Sequence, residues 1–171
     1  MTKRKIYRDA ITEEEADILL LGEWAPEETF GTGHAYLINI HEGSAILTKL
    51  LEIIRADFDF EVKGVKGVKS SGESYVRLET NKNGHRWHND RGGYSMDDAN
   101  LHMPWCQLGV SILLSSEDNF TGGDTYYADD DKETNKVKAD RRRYDMCVHA
   151  SDVWHMVESH EGTRTVLLMF I

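Results

Sequence analysis

From residue 58 onward the chain breaks into short β-branched or aromatic segments bounded by Gly, Asn and Asp, with candidate strands at 58–62, 75–80, 85–90, 107–114, 125–128, 144–149 and 163–171. This limits the fold more than any other feature, because short strands persist only in sheets whose apolar faces are covered. Two amphipathic segments come first. Thr12-Glu13-Glu14-Glu15 has capping-box spacing ahead of Ile18, Leu19, Leu20 and Leu21, and Gly22 is a natural stop. A second helix should begin near Ser44, where Ile46, Leu50, Ile53 and Ile54 share one face with Leu47 beside them. The stretch 6–11 reads as extended. Helices followed by many short strands predict an α+β protein on a β-sandwich or jelly-roll core. It should be one domain over 1–171, with helical support over about 1–57 and the jelly-roll core over about 58–171. Asn83-Gly84 predicts a hairpin between the strands at 75–80 and 85–90.

Charge narrows the partners. Thirty acidic against 20 basic residues give a net charge of −10, which repels a phosphate backbone and argues against nucleic acid. Solubility is the leading reading of that charge, with a basic peptide substrate as the alternative. Cys106 and Cys147 do not form a C-x-x-C pair and cannot staple a domain of this size. The basic Met1-Thr2-Lys3-Arg4-Lys5 is followed by no apolar core of a signal peptide, and no apolar run reaches transmembrane length. The expectation is a soluble, cytoplasmic protein without a membrane partner. The charged stretch 129–143 reads as a solvated loop.

The chemistry-bearing pattern lies in the C-terminal half: His88-Asn89-Asp90, then His155, then Gly162-Thr163-Arg164. On a strand, residues two apart share a face, so His88 and Asp90 present an imidazole and a carboxylate together. With His155 from a neighbouring strand they make a two-histidine, one-carboxylate set, the donor set of a non-haem Fe(II) centre with open positions. Arg164 opens the apolar run 165–171, where a charge needs a partner. Fe(II) with one carboxylate carries one positive charge. A 2-oxoglutarate dianion makes that one negative, and Arg164 restores zero, its planar fork suiting the distal carboxylate.

These residues, with Phe120-Thr121-Gly122-Gly123-Asp124, resemble the Fe(II)/2-oxoglutarate-dependent dioxygenases, most closely the prolyl 4-hydroxylase-like branch, over about 75–171. The resemblance implies a double-stranded β-helix core. It implies His88, Asp90 and His155 as catalytic metal ligands, Arg164 as the 2-oxoglutarate anchor, and O2 as cosubstrate, with ascorbate as a possible accessory. The activity implied is hydroxylation of an unactivated C–H bond with release of succinate and CO2, with a prolyl residue in a peptide or protein leading over a small molecule. Leu78-Glu79 and Leu113-Leu114 stand where the family often has tyrosines, and Asp124 where the turn usually ends in Glu.

Arg86, Trp87, Arg91 and Tyr94 flank the first ligands and are the substrate-side candidates. Trp154 reads as core, only one of Tyr126 and Tyr127 should face inward, His149 reads as structural and His160 as exposed. The segments 22–43 and 91–106 are candidate lids. Three rivals remain: a hydrolase using His85-x-x-His88, which lacks an H-E-x-x-H pattern; a cupin-like module with a structural metal; and a catalytically silent relative acting in protein interaction. Oligomeric state is not legible at this level.

Overall fold

The computed structural model describes residues 3–22, 25–26, 35–38, 45–62, 74–94 and 101–171, with 25–26 and 35–38 described as backbone alone. In chain order the elements are β1 (Arg4–Tyr7), α1 (Glu13–Leu20), β2 (Ala25–Pro26), β3 (Ala35–Ile38), α2 (Ala45–Arg55), β4 (Tyr75–Glu79), β5 (His85–His88) and β6 (Leu108–Leu113). There follow β7 (Phe120–Gly122), β8 (Thr125–Ala128), β9 (Val137–Lys138), β10 (Met146–Ala150), β11 (Trp154–Val157), β12 (His160–Gly162) and β13 (Val166–Phe170). The major sheet has the order β1-β10-β6-β13-β4-β3-β2, the minor sheet β5-β11-β8-β9, and β12-β7 form a small ribbon. Every pairing among the described residues is antiparallel, and the arrangement is the expected jelly roll. No helix among the described residues is long and apolar enough to cross a membrane.

Strand alternation divides the major sheet into two chemistries. Val76 and Leu78 on β4 share one face with Leu167 and Met169 on β13, Val110 and Ile112 on β6, and Met146 and Val148 on β10. All are buried against Ala16 and Leu19 of α1 and Ile46, Leu47, Leu50, Leu51 and Ile54 of α2. Each large side chain so removed from water contributes about 1.5–3 kcal/mol. The opposite face carries Tyr75, Arg77, Glu79, Gly109, Ser111, His149, Leu168 and Phe170, and looks into a cavity. One face is therefore hydrocarbon and holds the domain together, while the other mixes charged and polar groups with apolar walls and is available for chemistry.

Helix α1 starts as the capping box predicts. Thr12 Oγ1 accepts from the Glu15 amide at 3.1 Å, and Glu15 Oε2 accepts from the Thr12 amide at 2.8 Å. Lys49 Nζ on α2 then donates to Glu15 at 2.7 Å, locking the two helices together. Helix α2 begins at Ala45, and Ser44 lies outside the described residues.

Four expectations change. The N-terminal third is not only helical support, because β1, β2 and β3 extend the major sheet at both ends. Residues 58–62 form no strand: the Glu61 backbone is satisfied by the Gln107 side chain at 3.3 and 2.9 Å, and Phe58 and Phe60 pack into the core. Asn83-Gly84 does turn, with Gly84 at φ +66°, but β4 joins the major sheet and β5 the minor one, so it bridges sheets and closes no hairpin. His160 is buried, its Nε2 lying 3.1 Å from the Asn81 carbonyl. Most of the segment 22–43 and residues 95–100 of the other candidate lid lie outside the described residues.

Candidate metal centre and its cavity

His88 ends β5, and β11 places His155 directly opposite it in register. The next pairing joins Val157 to His85, so β5 carries an extra residue there. Such a bulge breaks strict alternation, and both His85 and His88 line the cavity. Asp90 is not on the strand. It is presented by a tight turn in which Asn89 and Gly93 bridge through backbone bonds of 3.0 and 2.8 Å, and Asn89 Oδ1 accepts from the Gly92 amide at 2.6 Å. The middle residue of His88-Asn89-Asp90 thus fixes the turn that aims the carboxylate.

One donor atom from each of His88, Asp90 and His155 lies within 4.8 Å of the others, close enough to hold one metal ion. Asp90 Oδ1 is 3.8 Å from His88 Nε2 and 3.6 Å from His155 Nε2. The other ring nitrogens are committed to backbone: His88 Nδ1 donates to the Arg86 carbonyl at 2.6 Å and His155 Nδ1 to the Val153 carbonyl at 3.0 Å. A carbonyl can only accept, so both rings carry the proton on Nδ1 and turn a free Nε2 lone pair to the centre. Burial lowers the pKa of both histidines, His155 most strongly, against the opposing pull of Asp90. Burial alone would raise the Asp90 pKa, but His155, His149 and His88 together hold it below the usual carboxylate range. Neutral imidazoles and an ionised carboxylate are the ligating forms.

The centre lies in a cavity of about 650 Å³ walled by Tyr75, Val157, Val166, Leu168 and Phe170. Elsewhere in the same cavity stand Arg164, Arg141, Ser111 and Thr125. Arg164 precedes β13 and is only 6% exposed, and its Nε has no hydrogen-bond partner. Its guanidinium lies 5.9 Å from the Phe120 ring centroid. Gly123, at φ +72°, makes room for it, since a Cβ there would overlap the arginine side chain. Arg141 enters beside it and donates to Ser111 Oγ at 3.1 Å. Thr125 Oγ1 is buried without a partner as well. Burial first, and the nearby Arg141 second, lower the Arg164 pKa to about 10 against the opposing pull of Glu79 and Asp124. Two guanidiniums and an orphaned hydroxyl make a receptor suited to an anion.

Along the same wall, Glu79 receives His85 Nε2 at 2.6 Å on one oxygen and Arg77 on the other. Burial raises its pKa, yet His85 and Arg77 bring it down to about 2. His85 is therefore engaged with a carboxylate outside the His88–Asp90–His155 group, which removes the basis of the hydrolase rival.

The substrate-side candidates separate. Tyr94 lines the cavity mouth, 61% exposed, and Arg86 lies over its ring at 4.6 Å. Trp87 turns away, donating to the Asp131 carbonyl at 2.9 Å and stacking on Trp154 at 6.0 Å, so Trp154 is half-buried in that pair and not core. Arg91 is exposed and lines no part of the cavity. Tyr127 faces inward and is buried, with Tyr126 on the opposite face. Sequence reading missed Arg141, hidden in a charged run, and took His149 as structural although it lies 3.0 Å from Asp90 Oδ2.

No family model matches the sequence, and no curated protein matches it. The fold is that of the 2-oxoglutarate–Fe(II) oxygenases, shared with solved structures of very different sequence. A prolyl hydroxylase from Trichoplax adhaerens, in complex with a peptide fragment of the hypoxia-inducible factor oxygen degradation domain, superposes with a TM-score of 0.61 at 12% identity, over 98% of this chain and 82% of that one. A prolyl-4-hydroxylase from Pseudomonas putida gives 0.61 at 14%, over 98% and 91%. HygX from Streptomyces hygroscopicus, with nickel, 2-oxoglutarate and hygromycin B bound, gives 0.56 at 11%, over 99% and 82%.

Proposed function

We propose that this protein is an Fe(II)- and 2-oxoglutarate-dependent oxygenase that hydroxylates an unactivated C–H bond. The observation that carries the reading is the pairing, in one cavity, of a tautomer-fixed His88–Asp90–His155 donor set with a buried Arg164 whose Nε has no hydrogen-bond partner. His88, Asp90 and His155 would hold the iron, and three protein donors leave positions open for a chelating 2-oxo acid and dioxygen. When bound, these groups supply the oxidising power, with succinate and CO2 as co-products. The chain's own tasks are to seat and to shield. Arg164 and Arg141 take the distal carboxylate of the cosubstrate, with Thr125 Oγ1 within the same receptor. The walls of Leu168, Phe170, Val166 and Val157 exclude water from the centre.

A prolyl residue in a peptide is the leading substrate. Support comes from the prolyl hydroxylases among the structural neighbours, one of them bound to a peptide, and from Tyr94 and Arg86 at an open mouth. A small polar molecule is the second reading, favoured by the hygromycin B complex of one neighbour. Anaerobic titration with Fe(II) and 2-oxoglutarate tests the cosubstrate site. A visible charge-transfer band should need both components, vanish in Asp90→Ala and weaken in Arg164→Ala. Bound iron with no band would overturn the 2-oxoglutarate assignment. Succinate release on adding proline-containing peptides, and not hygromycin-like aminoglycosides, would choose between the substrates.

A further inference from the structure

His149 is a third imidazole at the centre and belongs to neither the donor set nor the anion receptor. It sits on β10, and its Nε2 lies 3.0 Å from Asp90 Oδ2. The ligand histidines face the other oxygen: His155 and His88 approach Oδ1 at 3.6 and 3.8 Å. The two oxygens of one carboxylate are therefore divided, one toward the metal position and one toward His149. The ring of His149 packs against those of His155, at a centroid separation of 4.4 Å, and Tyr127, at 5.2 Å, in a three-ring cluster closed by the 5.8 Å contact between His155 and Tyr127. It is 4% exposed, so its position is set by packing and not by solvent.

The neighbouring strand is shaped to permit this pair. Gly109 on β6 lies opposite His149 in register, and a Cβ there would overlap both Asp90 Oδ2 and His149 Nε2. Any other residue at 109 would push the carboxylate and the imidazole apart. A glycine inside a fully buried central strand sacrifices packing and strand stability, and close approach of other groups is what it permits in return.

We propose that His149 is a positioning residue of the metal centre, which by donating to Asp90 Oδ2 holds the carboxylate to one-point ligation through Oδ1, with Gly109 as the space the pair requires. The proposal rests on the metal-centre reading above. A carboxylate free to rotate can offer both oxygens to a metal and close a position that the chelating cosubstrate needs. Groups that hydrogen-bond a ligating side chain orient it and tune its donor strength, and their loss typically lowers metal affinity by about 10–100-fold.

The test uses Co(II) as a redox-inert, visible probe on the full chain, with His149→Gln, His149→Asn and His149→Phe. Gln can still donate to Asp90, Asn is polar but too short, and Phe fills the space without a donor. We expect Gln to keep the Co(II) dissociation constant within about threefold of wild type and the same d–d spectrum. Asn and Phe should weaken binding by roughly tenfold or more and change the intensity of the d–d bands, which reports coordination number. Equal affinity and spectra in folded Gln, Asn and Phe variants would overturn the role of His149 and leave the metal centre standing. If Phe does not fold, the Gln–Asn comparison decides alone, and identical behaviour of those two overturns the proposal. Failure of the wild-type chain to bind Co(II) would instead refute the metal centre on which it rests.

Discussion

Burying a guanidinium beside a second one should cost stability, and Arg164 allows that cost to be measured. Its pKa stands at about 10 against an ordinary 12.5, because burial and Arg141 both disfavour its charge. At about 1.36 kcal/mol per unit, holding the cation costs the folded protein about 3 kcal/mol. Replacing Arg164 with Met removes the charge and keeps much of the side-chain volume against Phe120. For a domain of this size 1 kcal/mol corresponds to about 2–4 °C. Arg164→Met should therefore melt roughly 6–12 °C above wild type in the absence of ligand. With Mn(II) and 2-oxoglutarate at about a hundred times the dissociation constant, wild type should gain about 2.7 kcal/mol, and the variant should gain only what the metal alone provides. Differential scanning calorimetry under the four conditions reads both effects. A variant that melts several degrees below wild type without ligand would show that Arg164 is a structural cation with an internal counter-charge. A variant stabilised by 2-oxoglutarate as much as wild type would remove it from the cosubstrate site.

Three other outcomes test neighbouring parts of the argument. Arg141→Met should weaken 2-oxoglutarate binding by about 10–100-fold, the worth of one charge-assisted hydrogen bond, by calorimetric titration with Mn(II) present; an unchanged affinity would leave Arg141 as a brace for Ser111. Glu79 has a folded pKa of about 2 against an ordinary 4.5, so its contribution is full above pH 4.5 and is lost as pH falls toward 2. That amounts to about 3 kcal/mol, and in urea unfolding Glu79→Gln should flatten the fall in stability between about pH 5 and pH 2.5 relative to wild type, whereas parallel curves would contradict the assigned pairing with His85 and Arg77. Thr12→Ala removes the α1 cap and should cost about 1 kcal/mol in thermal melts with no change in metal affinity; a change in affinity would mean that the helices do more than cover the outer sheet face.

What was legible in the sequence was local. The His88–Asp90 spacing, the apolar run after Arg164 and the Thr12–Glu15 box each depend on a few adjacent residues. The box caps α1 as expected, whereas Asp90 reaches the cavity from a turn and not from the expected strand, and the strand after Arg164 starts at Val166. Arg141 was not legible, because Lys136, Lys138, Arg142 and Arg143 around it do behave as a charged loop, pairing with Glu133, Asp124, Asp145 and Glu13. Only the tertiary path of the chain after β9 turns one arginine of that run into the barrel. Asn83-Gly84 shows the same division: the turn conformation is local, but the choice of partner for the strands on either side is not. β1 was legible only in part: the stretch 6–11 reads as extended, but the strand runs from Arg4 to Tyr7, and its half-buried Arg4, Ile6 and Tyr7 carry too little alternation to fix its limits. His149 was within reach. Once Met146 and Val148 are placed on the outer face of a strand, alternation sends His149 inward beside the metal ligands.

Strand β1 has a further consequence, for the integrity of the site. It is the outermost strand of the major sheet on that side, and it pairs Arg4 with His149 and Ile6 with Cys147 on β10. Its long side chains shield the flank, Arg4 over the Tyr127 ring at 5.7 Å and Lys5 on Asp57 at 2.7 Å. A single proteolytic cut near residue 8 would leave all three metal donors in the chain, yet it would bare the hydrogen-bonding edge of β10. Open edges of this kind recruit strands from other molecules. Such a clipped preparation would be expected to self-associate and lose metal together, an inactivation that would look like a defect of the centre while its cause lies one strand away.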